Sequence, residues 1–125
     1  MTRQLRMIMS GGVYHLIARG NERKNIFRGD GDRQKLLKIV FSAYKKFDCR
    51  LYAYVLMSKH YHFVVKINGP NLSAFMHCLN RDYAIFFNSK YKRFGHLFQE
   101  RFYSAFVKHG YEVQKVVRYI HMNPV

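Results

Sequence analysis

Hydrophobic and polar positions alternate along the chain in a pattern that changes period several times. Val13 to Arg19 is rich in strand-forming residues and stops at Gly20-Asn21, a turn signal, so it predicts a first strand. Asp30-Gly31-Asp32 offers a helix N-cap, and Leu36, Leu37, Val40, Ala43, Tyr44 and Phe47 follow at helical spacing. A first helix is therefore expected to run to Phe47. Arg50 to Met57 reads as a second strand, Ser58-Lys59 as a tight connection, and His60 to Ile67 as a third strand, the two strands forming a hairpin. Asn68-Gly69-Pro70-Asn71 breaks the chain, and a second helix follows with Leu72, Phe75, Met76, Leu79, Tyr83 and Phe86 on one face. Tyr91 to Gly95 is a basic loop and Phe102 to Lys108 a fourth strand. After a turn at Gly110, a last helix carries Val113, Val116, Val117 and Ile120 on one face. It stops at Asn123-Pro124, because proline disfavours helix at the residue before it.

The order β-α-β-β-α-β-α predicts an α+β protein. A ferredoxin-like split βαβ sandwich fits that order, with an antiparallel sheet, helices on one face and an added C-terminal helix carrying Tyr119. With 125 residues, 49% of them hydrophobic and 17% aromatic, one domain over residues 1–125 with one core is expected. This fold class hosts many activities and selects none of them.

Charge narrows the function. Lysine and arginine number 22 against 7 acidic residues, a formal net charge of +15. Such an excess attracts polyanions, nucleic acid first and an anionic membrane second, and the accompanying aromatics favour nucleic acid over a merely basic soluble protein, since bases stack on aromatic rings. No stretch is apolar enough to span a membrane, and Met1 to Gly12 has no long apolar run of the secretory type. Cys49 and Cys78 lack metal-ligand spacing and read as reduced thiols, so a reducing, cytoplasmic location is expected.

Two segments carry candidate chemistry. In His60-Tyr61-His62, at the start of a strand, side chains alternate faces, so both histidines point one way and Tyr61 the other. Two imidazoles on same-face neighbours suit one metal ion, although an isolated pair of this kind also occurs as two polar residues on an exposed sheet. On the last helix Lys115, Tyr119 and Asn123 stand four apart, on one line beside the apolar stripe. Asn123 can offer a metal its carbonyl oxygen. Tyr119 can act as a nucleophile if its phenol, with an ordinary pKa of about 10, is activated by a nearby ammonium such as Lys115 or by a metal.

The segment Tyr54-Val-Leu-Met-Ser-Lys-His-Tyr-His-Phe-Val-Val-Lys66 resembles the histidine-hydrophobe-histidine strand of the single-tyrosine HUH transposases. Arg118-Tyr-Ile-His-Met-Asn-Pro-Val125 resembles the tyrosine helix of the REP-associated tyrosine transposases and their insertion-sequence relatives. Tyr14 to Arg23 and Gly95 to Phe102 are similar to two further blocks, and the four occur in the family's order over nearly the whole chain.

The resemblance implies a nuclease and strand transferase that depends on magnesium or manganese and acts on single-stranded or hairpin DNA. Tyr119 maps to its nucleophile, His60 and His62 to paired metal ligands, and Asn123 to the amide ligand. The metal assignment rests on the resemblance, because imidazole-rich sites in general favour softer ions such as zinc. Tyr61 is larger than the family's usual aliphatic residue, and Ser58 stands where proline is frequent. Family members usually continue beyond the Asn-Pro-Val segment, so a minimal or truncated domain is expected.

In the implied reaction Tyr119 attacks the scissile phosphorus, stays bonded to the 5′ phosphate and releases a 3′ hydroxyl. For DNA binding the candidates are Arg19, Asn21, Arg23 and Lys24 after strand one, and Lys90, Lys92, Arg93 and Arg101 near the basic loop. Glu22, just after strand one, and His15, on it, are candidates to flank the metal, but read better as a loop residue and a structural histidine; Phe98 and Phe102 are candidates for base stacking but read better as core. A homodimer would allow the tyrosine helix to serve its own or its partner's histidines. Three alternatives stay open: a non-catalytic single-stranded nucleic-acid-binding module, a rolling-circle initiator or relaxase, and a domesticated relative that kept the fold.

Overall fold

The computed structural model describes residues 12–68 and 71–107, together with Lys115 and Arg118. The described elements are β1 (Gly12–Arg19), a short 3-10 turn (Asn21–Arg23), α1 (Asp30–Phe47), β2 (Cys49–Met57), β3 (His60–Ile67), α2 (Leu72–Tyr91) and β4 (Tyr103–Val107). The strands form one antiparallel sheet in the order β2-β3-β1-β4. That is the order a split βαβ sandwich produces. Lys115 and Arg118 are helical and exposed; the rest of the expected last helix, with Tyr119 and Asn123, lies outside the described residues. No helix among the described residues is long and apolar enough to cross a membrane.

Period two divides the sheet into two faces. Leu16, Ala18, Tyr61, Phe63, Val65 and Ile67 turn toward the helices and are buried with Leu36, Val40, Phe75, Leu79 and Tyr83. Burial of aromatic and branched side chains on this scale is the main force holding the two layers together. Tyr61 is fully buried there, and its hydroxyl donates to Asn80 Oδ1 at 2.5 Å. The opposite face carries His15, Ile17, His60, His62 and Val64.

Two sequence expectations are corrected. The N-cap of α1 is Gly29, with no side-chain cap, and Asp32 sits in the first turn. Its carboxylate reaches back to accept the Arg28 N–H at 2.8 Å, and is fully buried because Lys90 (2.7 Å) and Tyr91 (2.6 Å) of α2 also donate to it. In α2 the buried row runs Leu79, Tyr83, Phe87, so Phe87 rather than Phe86 enters the core. The row continues at four-residue steps, and Phe86 is left on its flank under the ammonium groups of Lys35 and Lys90.

A β-bulge at Tyr52 shifts the β2–β3 register between Leu51 and Ala53, and the Tyr44 hydroxyl accepts the Leu51 N–H at 3.0 Å beside it. Cys49 is buried, which pushes its thiol up to about 11, and it is a free cysteine.

Three connections are stitched together at one end of the sheet. Gly20 N–H donates to Lys59 O (2.8 Å), Ile26 N–H to Ser58 O (2.7 Å), Asn21 N–H to Leu97 O (2.8 Å) and Gln99 N–H to Arg19 O (2.8 Å). Gly20 is required there, since a Cβ would collide with the Lys24 carbonyl oxygen.

Candidate active site

The stitched end holds the histidines. Residues opposed in the antiparallel ladder share a face, so the pairings Arg19–His60 and Ile17–His62 set both imidazoles beside β1, on the side away from the helices. The His60 and His62 rings lie 5.0 Å apart, centroid to centroid, at 67°. His15, two residues before Ile17, joins them. Its Nε2 lies 3.1 Å from His62 Nδ1, and the two rings stack at 5.3 Å. Tyr103 of β4 pairs with Ile17 on the same face, and its ring meets the edge of His15 at 6.0 Å.

The environment keeps these imidazoles neutral. Burial lowers the His62 pKa to about 4, and repulsion from His60, His15 and Arg19 adds to it. Burial, then Arg19, lowers His60, and burial lowers His15. A neutral imidazole has the free lone pair a metal ion needs. Two such donors on one face at this separation fit one shared cation. Among the described residues no group of three or more His, Cys, Asp or Glu side chains is placed to hold a metal, so further donors have to come from another residue type or from outside these residues. Glu22 is exposed and pairs with Lys24 at 3.5 Å.

Tyr61, between the histidines, is excluded as a nucleophile for this face, since it points into the core and burial raises its pKa well above the usual range. Tyr103 is the residue that sequence reasoning passed over. It is exposed and stands on the histidine face, a position visible only once β4 is known to pair with β1. His15 was considered as a flanking residue; that its ring nitrogen touches His62, 47 residues away, follows from the β1–β3 register.

The proposed DNA contacts gather at this same end. Arg19 ends β1 beside His60, and Asn21, Arg23 and Lys24 follow it. Glu22 and Arg23 both adopt left-handed backbone (φ 55° and 59°), which sharply turns this loop. Lys90, Lys92 and Arg93 lie at the C-terminal end of α2. Lys90 is held by Asp32, and Arg93 Nη1 donates to Asn88 Oδ1 at 2.7 Å. Arg101 is exposed just before β4. Lys115 is exposed on its helical segment, and Tyr119 and Asn123, outside the described residues, have no position here relative to the histidines.

The family model described as "Transposase IS200 like" matches residues 9–123, nearly the whole chain. The chain belongs to the IS200-like transposase family. Among curated proteins, none matches the sequence. Two solved structures share the fold of this IS200-like transposase. One is a REP-associated tyrosine transposase bound to a REP hairpin, with a TM-score of 0.79 at 18% identity, covering 99% of this chain and 73% of that one. The other is a protein of Deinococcus radiodurans R1 described as a candidate transposase, with a TM-score of 0.63 at 17% identity, covering 98% of this chain and 97% of that one. The antiparallel α+β sandwich read from the sequence is thus the fold of the REP-associated tyrosine transposase, and in this chain the same-face histidine pair sits at one end of the sheet.

Proposed function

We propose that this transposase cleaves and rejoins single-stranded DNA through a 5′-phosphotyrosine intermediate, with Tyr119 as nucleophile and a divalent metal, magnesium or manganese, at His60, His62 and Asn123. The observation that carries the reading is the pair of neutral imidazoles on one sheet face, at the end where the basic connections converge, in a chain of the IS200-like family. The REP-hairpin complex of the structural relative supports DNA as the partner.

A metal at this site would polarise a non-bridging oxygen of the scissile phosphate and make the phosphorus more electrophilic. Tyr119, activated by the ammonium of Lys115, attacks the phosphorus in line. The new bond joins phosphorus to the phenolic oxygen, the bond to the 3′ oxygen breaks, and that oxygen leaves as a hydroxyl after taking up a proton. A 3′ hydroxyl from another strand reverses the step and releases Tyr119, so joining needs no ATP. Arg19, Asn21, Arg23, Lys24, Lys90, Lys92, Arg93 and Arg101 bind the strand through its phosphates.

The test is a denaturing gel of end-labelled hairpin DNA with a single-stranded flank, incubated with protein and manganese. A covalent adduct is expected for the wild type and for Tyr103→Phe, and none for Tyr119→Phe. An adduct that survives Tyr119→Phe and disappears with Tyr103→Phe would move the nucleophile to β4. DNA binding without any adduct would leave a non-catalytic binding module.

A further inference from the structure

Phe94 is 95% exposed, whereas its neighbours in sequence, Phe87 and Phe98, are 0% and 8% exposed. Single apolar side chains on a surface are common and mean little alone. What distinguishes Phe94 is how it is held. Asn88, in the last full turn of α2, grips the chain on both sides of it. The Arg93 N–H donates to Asn88 O (3.0 Å), Arg93 Nη1 donates to Asn88 Oδ1 (2.7 Å), and Asn88 Nδ2 donates to the Gly95 carbonyl (3.0 Å). The Arg93 guanidinium also lies over the buried Phe87 ring at 5.8 Å. Lys92 closes the helix in the left-handed region (φ 52°), and Gly95 turns the chain again at φ 90°. The ring is therefore projected by a pinned turn.

The turn carries the cations Lys92 and Arg93 immediately before the ring. Three residues later the chain is bonded to β1's end, through Asn21 N–H to Leu97 O and Gln99 N–H to Arg19 O, and Arg19 is the ladder partner of His60. A rigid aromatic face beside fixed positive charge is the combination on which unpaired bases stack while their phosphates are neutralised.

We propose that Phe94 is a stacking platform for an unpaired base of the DNA strand, and this rests on the single-stranded DNA reading above. Inside a duplex both faces of every base are covered by stacked neighbours, so apart from the two end pairs only unpaired DNA offers the ring a free base face. Base–aromatic stacking of this kind corresponds to roughly 5- to 150-fold in affinity.

The chain contains no tryptophan, so Phe94→Trp creates a single fluorescent reporter at the site. The expected result is quenching of that reporter by a single-stranded oligonucleotide, and little change with a blunt duplex of equal length. In parallel, Phe94→Ala should weaken single-strand binding about 5- to 150-fold with duplex binding unchanged. If the wild type binds the oligonucleotide while Phe94→Ala binds it equally well and Phe94→Trp is not quenched, the stacking role is overturned and the DNA reading stands. If the wild type binds no single-stranded DNA, both fall. Loss of self-association in Phe94→Ala, with DNA affinity intact, would assign the ring to a contact between protein copies and also overturn the proposal.

Discussion

At the scale of single residues, the contact between His15 and His62 decides which nitrogen faces a cation. His15 Nε2 occupies the Nδ1 side of His62 at 3.1 Å, so a metal ligand must be His62 Nε2. For that nitrogen to keep its lone pair in a neutral ring, Nδ1 carries the proton and donates it to His15. Partners that fix a ligand's tautomer in this way typically matter 10- to 100-fold in metal affinity. His15→Leu should weaken manganese binding by roughly that factor, measured by calorimetry on the DNA-free protein, and His15→Gln, which keeps an acceptor, should recover part of it. The same burial has a consequence for acid stability. The folded His62 pKa of about 4 lies below its ordinary 6.5. The unfolded chain therefore takes up a proton first, and the metal-free protein loses stability as pH falls from about 6.5 to about 4. Above that window His62 makes no pH-dependent contribution; below it the loss levels off. Denaturant titrations at pH 7, 5.5 and 4.5 should show the slope, and His62→Ala should reduce it, leaving the part due to His60 and His15, whose pKa values are also lowered. That His60 and His62 share a face was legible in the sequence, because strand period is two whatever the fold. That His15 touches His62 was not, because it depends on a register set by pairing between distant strands.

At the scale of elements, α1 and α2 are tied at one end by a buried carboxylate. Asp32 accepts from Arg28 N–H, Lys90 Nζ and Tyr91 OH. Burial alone would raise its pKa, and the hydrogen bonds from Lys90, Tyr91 and the Arg28 backbone outweigh that, so the net shift is downward. A depressed carboxyl pKa stabilises the fold at pH values above its ordinary value, and that contribution is lost as pH falls through the lower folded value. Asp32→Asn keeps the volume but removes the charge and one acceptor, and should cost about 1–3 kcal/mol at pH 7. The difference from wild type should shrink as pH falls below about 4, where the carboxyl of the unfolded chain takes up a proton, and level off only below the lower folded value, where the wild-type carboxyl itself becomes neutral. A variant as stable as wild type at pH 7 would show that the tie contributes nothing. Helix positions were legible from the spacing of Leu36, Val40 and Phe47, and of Leu72, Phe75 and Leu79. The role of Asp32 was not. An acidic residue near a helix start reads locally as a cap, and only the arrival of Lys90 and Tyr91 from a helix some 60 positions on turns it into a buried anchor. The Phe86–Phe87 difference has a similar origin, since adjacent phenylalanines are equally apolar and the sheet decides which one is covered.

At the scale of the molecule, a net charge of +15 does not by itself locate a DNA path, because the cations are spread over both ends of the sandwich. The topology separates them. Arg23 and Lys24 follow β1 at the end that holds His60, whereas Lys45 and Lys46 are in the last turn of α1, which leads into β2 at the far end. Both pairs carry the same charge and all four side chains are solvent-exposed. If bulk charge governs association, replacing either pair with alanine should weaken DNA binding equally. If the strand lies across the histidine end, only Arg23→Ala with Lys24→Ala should act. The logarithm of the binding constant should then fall less steeply with the logarithm of salt concentration, by about 0.7 for each phosphate contact removed on single-stranded DNA. The Lys45→Ala, Lys46→Ala protein should keep the wild-type slope. Anisotropy titrations of a single-stranded oligonucleotide between low and moderate salt make the comparison without any need for catalysis. Equal slopes for the two variants, both below wild type, would mean that DNA does not favour the histidine end. A reduced slope confined to the Arg23 and Lys24 variant would place the phosphates beside the paired imidazoles, where a nucleophile and a metal could act on them together.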